Sequence, residues 1–117
     1  MVRQQCRRYR DVLVQVVMFN LKDFSDADFR ATCERDLAQP VAAMPGLVSK
    51  TWLANTDANT YSGIYVWQDA AAMAAYTQTD FFQAFANDPR IVNVSSHSFE
   101  VMEAPSRVTN GLALVAA

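Results

Sequence analysis

The stretch LVSKTWLANTDANTYSGIYVW, from Leu47 to Trp67, holds two apolar segments separated by turn-forming residues. Residues 47–54 and 61–67 are rich in β-branched and aromatic side chains, which are typical of β-strands. Residues 55–60 are mostly asparagine, aspartate and threonine, which favour turns. The pattern therefore predicts a β-hairpin.

A helical segment precedes this hairpin. Ser25 stands before an acidic first turn and is a candidate N-cap, and Phe24 and Phe29 have the spacing of a hydrophobic staple. One apolar side chain recurs every four residues and gives the helix a single buried stripe: Phe29, Cys33, Leu37 and Val41. Pro40 is expected to kink or end the helix, and Pro45-Gly46 closes the segment.

A second helical segment follows the hairpin. Asp69 is a candidate cap for an alanine-rich helix over residues 70–76. Thr79 or Asp80 can restart the helix for the phenylalanines that follow, and Asn87-Asp88-Pro89 ends it. Both sides of the hairpin are therefore predicted to be helical.

Strands are predicted at both ends of this region. Val12 to Phe19 (VLVQVVMF) reads as a strand buried on both faces, and a last strand runs from Ile91 to about Glu103. The order β-α-β-β-α-β predicts an α+β fold of the ferredoxin-like type, with two helices on one face of a four-stranded antiparallel sheet.

The sheet face turned away from the helices, called the outer face below, is predicted to be apolar. Strand alternation assigns to it a set of large side chains: Val48, Trp52, Ile64 and Val66. Left open to water this face would be a large exposed patch, and packing against an identical sheet removes it. We therefore expect a homodimer that forms through the sheet face.

Length and composition agree with one domain that has a partner surface or an apolar pocket. The chain has 117 residues, of which 51% are hydrophobic and 19% charged. No apolar run approaches the ~20 residues of a membrane span, and no apolar stretch follows the basic N-terminus as in a secretory signal. We expect a cytoplasmic protein without membrane contact, in which Cys6 and Cys33 are free thiols.

The charge is distributed unevenly. Four of the ten basic residues fall in the first ten positions, and the rest of the chain has six basic residues against twelve acidic ones. A domain with this balance does not offer the basic face that nucleic-acid binding needs. We read residues 1–11 as a basic disordered leader, although such a tail could also touch RNA or an anionic membrane. Residues 12–106 form the predicted domain, and the tail 107–117 is a candidate for packing on the partner subunit.

Several short motifs resemble those of the YdhR-like mono-oxygenases. They are Pro45-Gly46-Leu47, Lys50-Thr51-Trp52, residues 63–69 (GIYVWQD), Ala75-Tyr76 and residues 99–106 (FEVMEAPS). The resemblance runs from about Val12 to Ser106. It implies membership of the dimeric α/β-barrel superfamily, which also holds antibiotic-biosynthesis monooxygenases and haem-degrading enzymes, and it implies the barrel-like homodimer of that superfamily.

The hairpin also resembles the cofactor-independent, quinone-forming monooxygenases of this superfamily, with one departure. Those enzymes share a tryptophan at the position of Trp67. They have an asparagine where this chain has Gly63 and a histidine where it has Leu53. Any related chemistry in this chain therefore uses other polar groups.

An aromatic pocket is the first candidate site. Tyr61, Gly63, Tyr65 and Trp67 alternate onto the strand face turned toward the helices. Together with three phenylalanines they could line a pocket for a flat ring, with Gly63 leaving room: Phe81, Phe82 and Phe85. The alternative is an ordinary aromatic core.

Two polar residues are further candidates. His97 is the only histidine, and imidazole readily exchanges protons near neutral pH, so His97 is a candidate catalytic base. The serines around it are equally typical of a solvent-facing edge strand. Asn20 could orient a ligand carbonyl, or it is a turn residue before the first helix.

Other chemistries lack their residues. One histidine and two isolated cysteines do not build a zinc site, and no glycine-rich phosphate loop or GxSxG elbow is present. We expect no metal and no cofactor. The favoured function is a cofactor-independent monooxygenase acting on a small aromatic or polyketide-like molecule. The alternatives are a non-catalytic homodimeric module that binds a small hydrophobic ligand, and a dimerisation scaffold.

Overall fold

The structure is a computed structural model that describes residues 12–112. The predicted leader 1–11, with Cys6, and the last residues of the predicted tail, 113–117, lie outside the described residues. Four strands are present: β1 (Leu13–Leu21), β2 (Leu47–Asn55), β3 (Thr60–Trp67) and β4 (Ile91–Glu100). Five helices accompany them: α1 (Asp26–Thr32), α2 (Ala38–Ala42), α3 (Ala70–Thr77), α4 (Asp80–Ala86) and α5 (Glu103–Val108).

The four strands form one antiparallel sheet in the order β2-β3-β1-β4. The predicted hairpin is confirmed as β2 and β3, and β1 is the central strand between β3 and β4. The predicted ferredoxin-like α+β fold is therefore confirmed.

The helices begin at the predicted caps. The Ser25 hydroxyl accepts from the backbone N–H of Asp28 at 3.0 Å, and the Asp69 carboxylate accepts from Ala72 at 2.8 Å. Thr79 caps α4 by accepting from Phe82 at 3.1 Å. Each bond satisfies a backbone donor that has no partner within the helix, which is why these short helices start where they do. The predicted staple is also present, with the ring centroids of Phe24 and Phe29 5.7 Å apart.

Pro40 does not end the first helical segment, which continues to Ala42 at the end of α2. A π-helical turn over Cys33–Leu37 connects α1 to α2, and the N–H of Ala38 donates to the carbonyl of Cys33. Proline lacks an N–H and crowds the preceding turn, and a widened turn is a common accommodation. Gly46 then closes the segment with a φ of 81°, in the left-handed region that suits glycine.

The core lies between the helices and one face of the sheet, called the helix side below. Val17 and Phe19 of β1 and the odd-numbered aromatics of β3 point to this side, as predicted. They pack against one buried residue or more from each of α1 to α4: Phe29, Val41, Tyr76 and Phe82. The helices therefore cover only one face of the sheet.

The outer face stays open in the single chain, so the prediction that strand one is buried on both faces is wrong for the chain taken alone. Met18 of β1 is 41% exposed, and Leu53 of β2 and Phe99 of β4 are 46% and 55% exposed. Ile64 and Val66 pair with Val16 and Val14 and face this side, as predicted.

Trp52 is a correction, because it lies on the helix side and not on the outer face. The ladder between β2 and β3 shifts register between Leu47 and Ser49, at Val48. Beyond that shift Trp52 pairs with Gly63, which faces the helices. A one-residue slip moves every following side chain to the opposite face.

The end of β4 is a second correction. The strand stops at Glu100, and residues 103–108 form α5 instead of continuing the strand. Pro105 stands in the first turn of this helix, where its missing N–H has no partner to lose. No helix among residues 12–112 is long and apolar enough to cross a membrane.

Candidate functional site

A cavity of about 310 Å³ lies between the helix side of the sheet and the two helical segments. Its floor comes from the three strands β1, β2 and β3, and its walls come from the first helical segment and from α3 and α4. The walls are largely apolar: Phe29, Cys33, Leu37, Val41, Phe81 and Phe85. Such a space favours a small molecule with flat apolar faces.

The structure brings most of the predicted pocket residues together. Tyr61, Gly63 and Tyr65 of β3 line the cavity from the sheet, and Phe81 and Phe85 line it from α4. Phe82 is buried beside them but packs against Tyr76, with ring centroids 5.1 Å apart.

Trp67 supports the cavity wall from behind. It is fully buried and is not among the side chains that line the cavity. Its ring stacks on Tyr65 with centroids 5.8 Å apart and 7° between the planes. Its indole N–H donates to the Oε1 of Gln15 at 2.9 Å, and Gln15 donates to the hydroxyl of Ser96 at 3.0 Å. Gln15 is buried, so this chain of bonds fixes the orientation of the indole.

His97 lies away from the cavity. It pairs with Val16 on the outer face, is exposed, and belongs to β4 at the edge of the sheet. The arrangement is that of a solvent-facing edge strand, and the sheet separates the imidazole from the cavity within the chain. The geometry therefore does not support His97 as the base for a molecule in this cavity.

Asn20 also lies away from the cavity. Its side-chain amide donates to the backbone carbonyl of Asn59 at 2.7 Å and accepts from the side chain of Asn93 at 2.9 Å. Asn59 in turn bonds the backbone of Leu21 through its side chain. Asn20 thus ties β1 to the hairpin turn, which is a structural role.

Lys50 is a cavity residue that sequence reasoning did not single out. Its ammonium nitrogen lies 3.5 Å from the ring centroid of Trp52 and 4.4 Å from that of Tyr65. It makes no hydrogen bond or ion pair with any residue between Val12 and Leu112. Burial lowers its pKa from 10.5 to about 8, against a small opposing effect of Cys33.

Gly63 provides the space that Lys50 occupies. A Cβ at Gly63 would stand 2.8 Å from Cε of Lys50 and 3.2 Å from Cε1 of Tyr65. The first distance is closer than real carbon contacts, so any larger residue at position 63 would move the lysine. Lys50 can therefore adopt this position only because residue 63 has no side chain.

The other buried hydroxyl and thiol groups around the cavity stay protonated. Tyr65 and Tyr76 hydrogen-bond each other with their hydroxyl oxygens 3.2 Å apart, and burial raises the pKa of both. Burial also raises the pKa of the Cys33 thiol, which is free. The Cys33 thiol and one of the two tyrosine hydroxyls keep a donor for a ligand at neutral pH, and none of the three groups carries a negative charge there.

A polar cluster stands at the rim of the cavity, where the hydroxyl of the buried Tyr61 meets Asp26. The Tyr61 hydroxyl donates to Asp26 at 2.6 Å, which lowers the pKa of that carboxyl and raises that of the tyrosine. Arg30 binds the other Asp26 oxygen at 2.9 Å, and Thr56 donates to Asp26 at 3.0 Å. The Asp26 carboxylate and the Arg30 guanidinium are therefore paired with each other at the rim.

Metal ligands are not grouped in the described part of the chain. Within residues 12–112 no three histidine, cysteine, aspartate or glutamate side chains lie close enough together to hold a metal ion.

The sequence family can now be stated beside this geometry. Residues 13–112 match the family described as "Putative mono-oxygenase ydhR". The chain belongs to this family. No curated protein sequence matches the chain.

Solved structures extend the comparison. SnoaB, a cofactor-independent oxygenase from Streptomyces nogalater, is 27% identical, with 78% of this chain and 93% of SnoaB covered and a TM-score of 0.63. A SnoaB variant with an asparagine replaced by alanine is 26% identical, with 79% and 94% covered and a TM-score of 0.64. A Caulobacter crescentus CB15 protein described as "a putative antibiotic biosynthesis monooxygenase" is 16% identical, with 82% and 94% covered and a TM-score of 0.63. The last similarity concerns the fold alone.

Proposed function

We propose that this YdhR-family protein is a cofactor-independent monooxygenase whose substrate, a small aromatic or polyketide-like molecule, binds in the cavity between sheet and helices. The observation that carries the proposal is an aromatic-lined cavity of about 310 Å³ that holds an amine without an acceptor among residues 12–112, in a chain 27% identical to a cofactor-independent oxygenase. Ligand cavities run from about 300 to 1,000 Å³, so a molecule of two or three fused rings is a suitable size.

The reaction asks the protein for a water-poor cavity, a base and donors for the substrate anion. In the oxidation of an anthrone, dioxygen takes its electrons from the ring methylene. One oxygen atom becomes the new quinone carbonyl, and the other leaves as water with the two methylene hydrogens. The walls are largely apolar, and the hydroxyl pair of Tyr65 and Tyr76 keeps one O–H donor beyond the bond that joins the two groups.

Oxygen uptake with anthrone tests this proposal. Cys33→Phe places a ring into the cavity and should reduce the uptake rate strongly, because overpacking leaves no room for the substrate. Ala31→Phe adds the same ring at an exposed position of the same helical segment and should leave the rate unchanged. Equal rates in the wild type and Cys33→Phe, or no uptake at all, would contradict the proposal.

A non-catalytic binding module is the second candidate function. It is favoured by the position of His97, because the predicted base stands on the face opposite the cavity. A thermal-shift assay separates the two functions, since any molecule that binds the native state raises the unfolding midpoint. Stabilisation by anthrone without oxygen uptake supports the binding module.

We also propose a homodimer through the outer face. Met18, Leu53 and Phe99 are large apolar side chains on a face that no helix covers, and they are between 41% and 55% exposed. A second copy of the same face would cover them, and two-fold dimers are the commonest such solution. His97 would then lie at the subunit interface, away from either cavity.

A further inference from the structure

The ammonium group of Lys50 lacks a hydrogen-bond acceptor inside the cavity. An ammonium group has three donors, and this one has the faces of Trp52 and Tyr65 as neighbours but no acceptor among residues 12–112. Aromatic faces attract a cation but do not accept its N–H donors as an oxygen does. The lysine is only partly exposed and lies in a largely apolar cavity, where an oxygen acceptor stabilises an ammonium group, so the amine indicates a ligand that supplies this oxygen.

Among the titratable groups around the cavity that are not exposed, Lys50 is the one that can change its charge near neutral pH, since Arg30 and Glu34 are exposed. The titratable side chains around the cavity are Arg30, Cys33 and Glu34 from the first helical segment, Tyr61 and Tyr65 from β3, and Tyr76 from α3. Arg30 is paired with Asp26 at the rim. The tyrosines and Cys33 hold their protons at neutral pH, because burial or the Asp26 contact raises each pKa. With a pKa of about 8, Lys50 is neutral in about a tenth of the molecules at pH 7.

We propose that Lys50 is the catalytic base of this site, taking the proton of an acidic hydroxyl on the bound molecule and then holding the resulting anion. The inference rests on the proposed function only in placing the substrate in this cavity. The proton moves from the substrate oxygen to Nζ, so the neutral amine becomes an ammonium beside the new oxyanion. No other bond changes in this step, and the electron-rich anion is the species that reacts with dioxygen.

The substrate class follows from this chemistry. A phenol or an enol is neutral while it enters an apolar cavity and acidic enough to give its proton to an amine. A flat ring between the walls matches the aromatic lining, and the hydroxyl lies toward the amine above Trp52. A permanent carboxylate would be held as an ion pair without any need for a base.

The arrangement also accounts for the departure at Gly63. The quinone-forming monooxygenases that the hairpin resembles have an asparagine at this position. In this chain the side chain is absent from β3, and the polar group comes from Lys50 on the neighbouring strand, in the space that a Cβ would fill. An amide cannot accept a proton as an amine does, so the substitution exchanges a hydrogen-bonding group for a base.

The first experiment uses para-nitrophenol, whose phenolate absorbs differently from the phenol, as a probe that needs no oxygen. In the wild type the bound probe should ionise about 1–3 pH units below the free probe, the usual effect of an opposite charge within about 4–6 Å. In Lys50→Met it should ionise above the free probe, because the apolar cavity disfavours an anion. Lys22→Met is the matched control, since Lys22 is the other lysine and is exposed, and it should behave as the wild type.

A second experiment separates holding the anion from taking the proton. Lys50→Arg keeps the positive charge but does not release its proton, so it should retain the para-nitrophenol shift. It should lack the rise in anthrone oxidation rate that the wild type shows as pH increases through about 8. Gly63→Ala should displace the lysine and weaken the shift, which keeps the test valid if Lys50→Met fails to fold.

The outcomes distinguish the two proposals. Bound para-nitrophenol that titrates alike in the wild type and Lys50→Met would overturn the role of Lys50, whatever the oxygen uptake. If Lys50→Arg oxidised anthrone with the same pH profile as the wild type, the role of Lys50 as the base would also be overturned. A shifted phenol without oxygen uptake supports the proton transfer and contradicts the oxygenase. A failure of the wild type to bind para-nitrophenol contradicts a phenol site at Lys50, while the oxygenase is judged by oxygen uptake with anthrone.

Discussion

Replacing Lys50 by methionine should change the pH dependence of folding stability in a definite direction. Methionine keeps the unbranched chain length and removes the amine. Burial lowers the pKa of Lys50 from 10.5 to about 8, so the folded protein releases this proton before the unfolded chain does. Below pH 8 both states are charged, and the folded state carries the full penalty of a buried ammonium. Between pH 8 and 10.5 that penalty disappears, and the wild type gains stability relative to the variant.

The magnitude follows from the same two values. A difference of about 2.5 pH units corresponds to about 3.5 kcal/mol, at about 1.4 kcal/mol for each unit. Two features reduce this figure. The side chain is partly exposed, so solvent screens it, and the faces of Trp52 and Tyr65 favour the ammonium. We therefore expect the difference between the two proteins to change by about 1–2 kcal/mol between pH 7 and 10.5.

Urea unfolding followed by tryptophan fluorescence measures this change. The free energy of unfolding of Lys50→Met, relative to that of the wild type, is expected to be higher at pH 7 than at pH 10.5. The ionisation of the tyrosines is common to both proteins and cancels to first order in the difference. Lys22→Met, at an exposed position, should give a difference from the wild type that does not vary with pH. A flat difference for Lys50→Met, or one of the opposite sign, would refute a buried amine with a lowered pKa.

Two further predictions concern the wall behind the cavity and the outer face. Trp67→Ala should lower the free energy of unfolding by about 3–5 kcal/mol in urea, because the indole is fully buried. Trp67→Phe should lower it by about 1–3 kcal/mol, since Gln15 loses the indole donor, and a near-neutral Trp67→Ala would contradict the buried position. Ile64→Glu should convert a dimer to a monomer in light scattering, while the exposed Lys22→Glu should remain dimeric. A wild-type monomer would contradict the dimer.

The fold could be predicted because its signals are local. The hairpin turn, the caps at Ser25, Asp69 and Thr79, and the alternation of β3 each depend on residues that are adjacent in the chain. Pro40 was misleading as an end signal, because a π-helical turn accommodates the proline and the helical segment continues to Ala42.

The faces of the edge strands could not be predicted because they depend on register. One irregularity at Val48 turned Trp52 toward the helices, together with Lys50. A second shift occurs where β1 and β4 pair between Met18 and Asn20, and beyond it His97 faces outward while Ser96 faces the helix side. The alternation of apolar and polar residues along a strand does not predict which face a side chain takes beyond such a register shift.

The role of Lys50 could not be predicted from the sequence, whereas the pattern around Gln15 indicated a buried polar contact. Gln15 is the one polar residue between Val12 and Phe19, and its side chain accepts the hydrogen bond of the Trp67 indole. A single lysine in an edge strand ordinarily points to solvent. Its burial emerges only when Gly63, from another strand, leaves the space that it fills.

Incorporation of labelled dioxygen tests the central claim most directly. Purified protein, free of added metal and flavin, is incubated with anthrone under labelled oxygen gas, and the product is analysed by mass spectrometry. The account predicts a quinone with one labelled oxygen atom, formed by the wild type and Lys22→Met and much more slowly by Lys50→Met and Cys33→Phe. Product formation no faster than in buffer, or equally fast in the cavity-filled Cys33→Phe variant, would contradict an oxygenase site in this cavity.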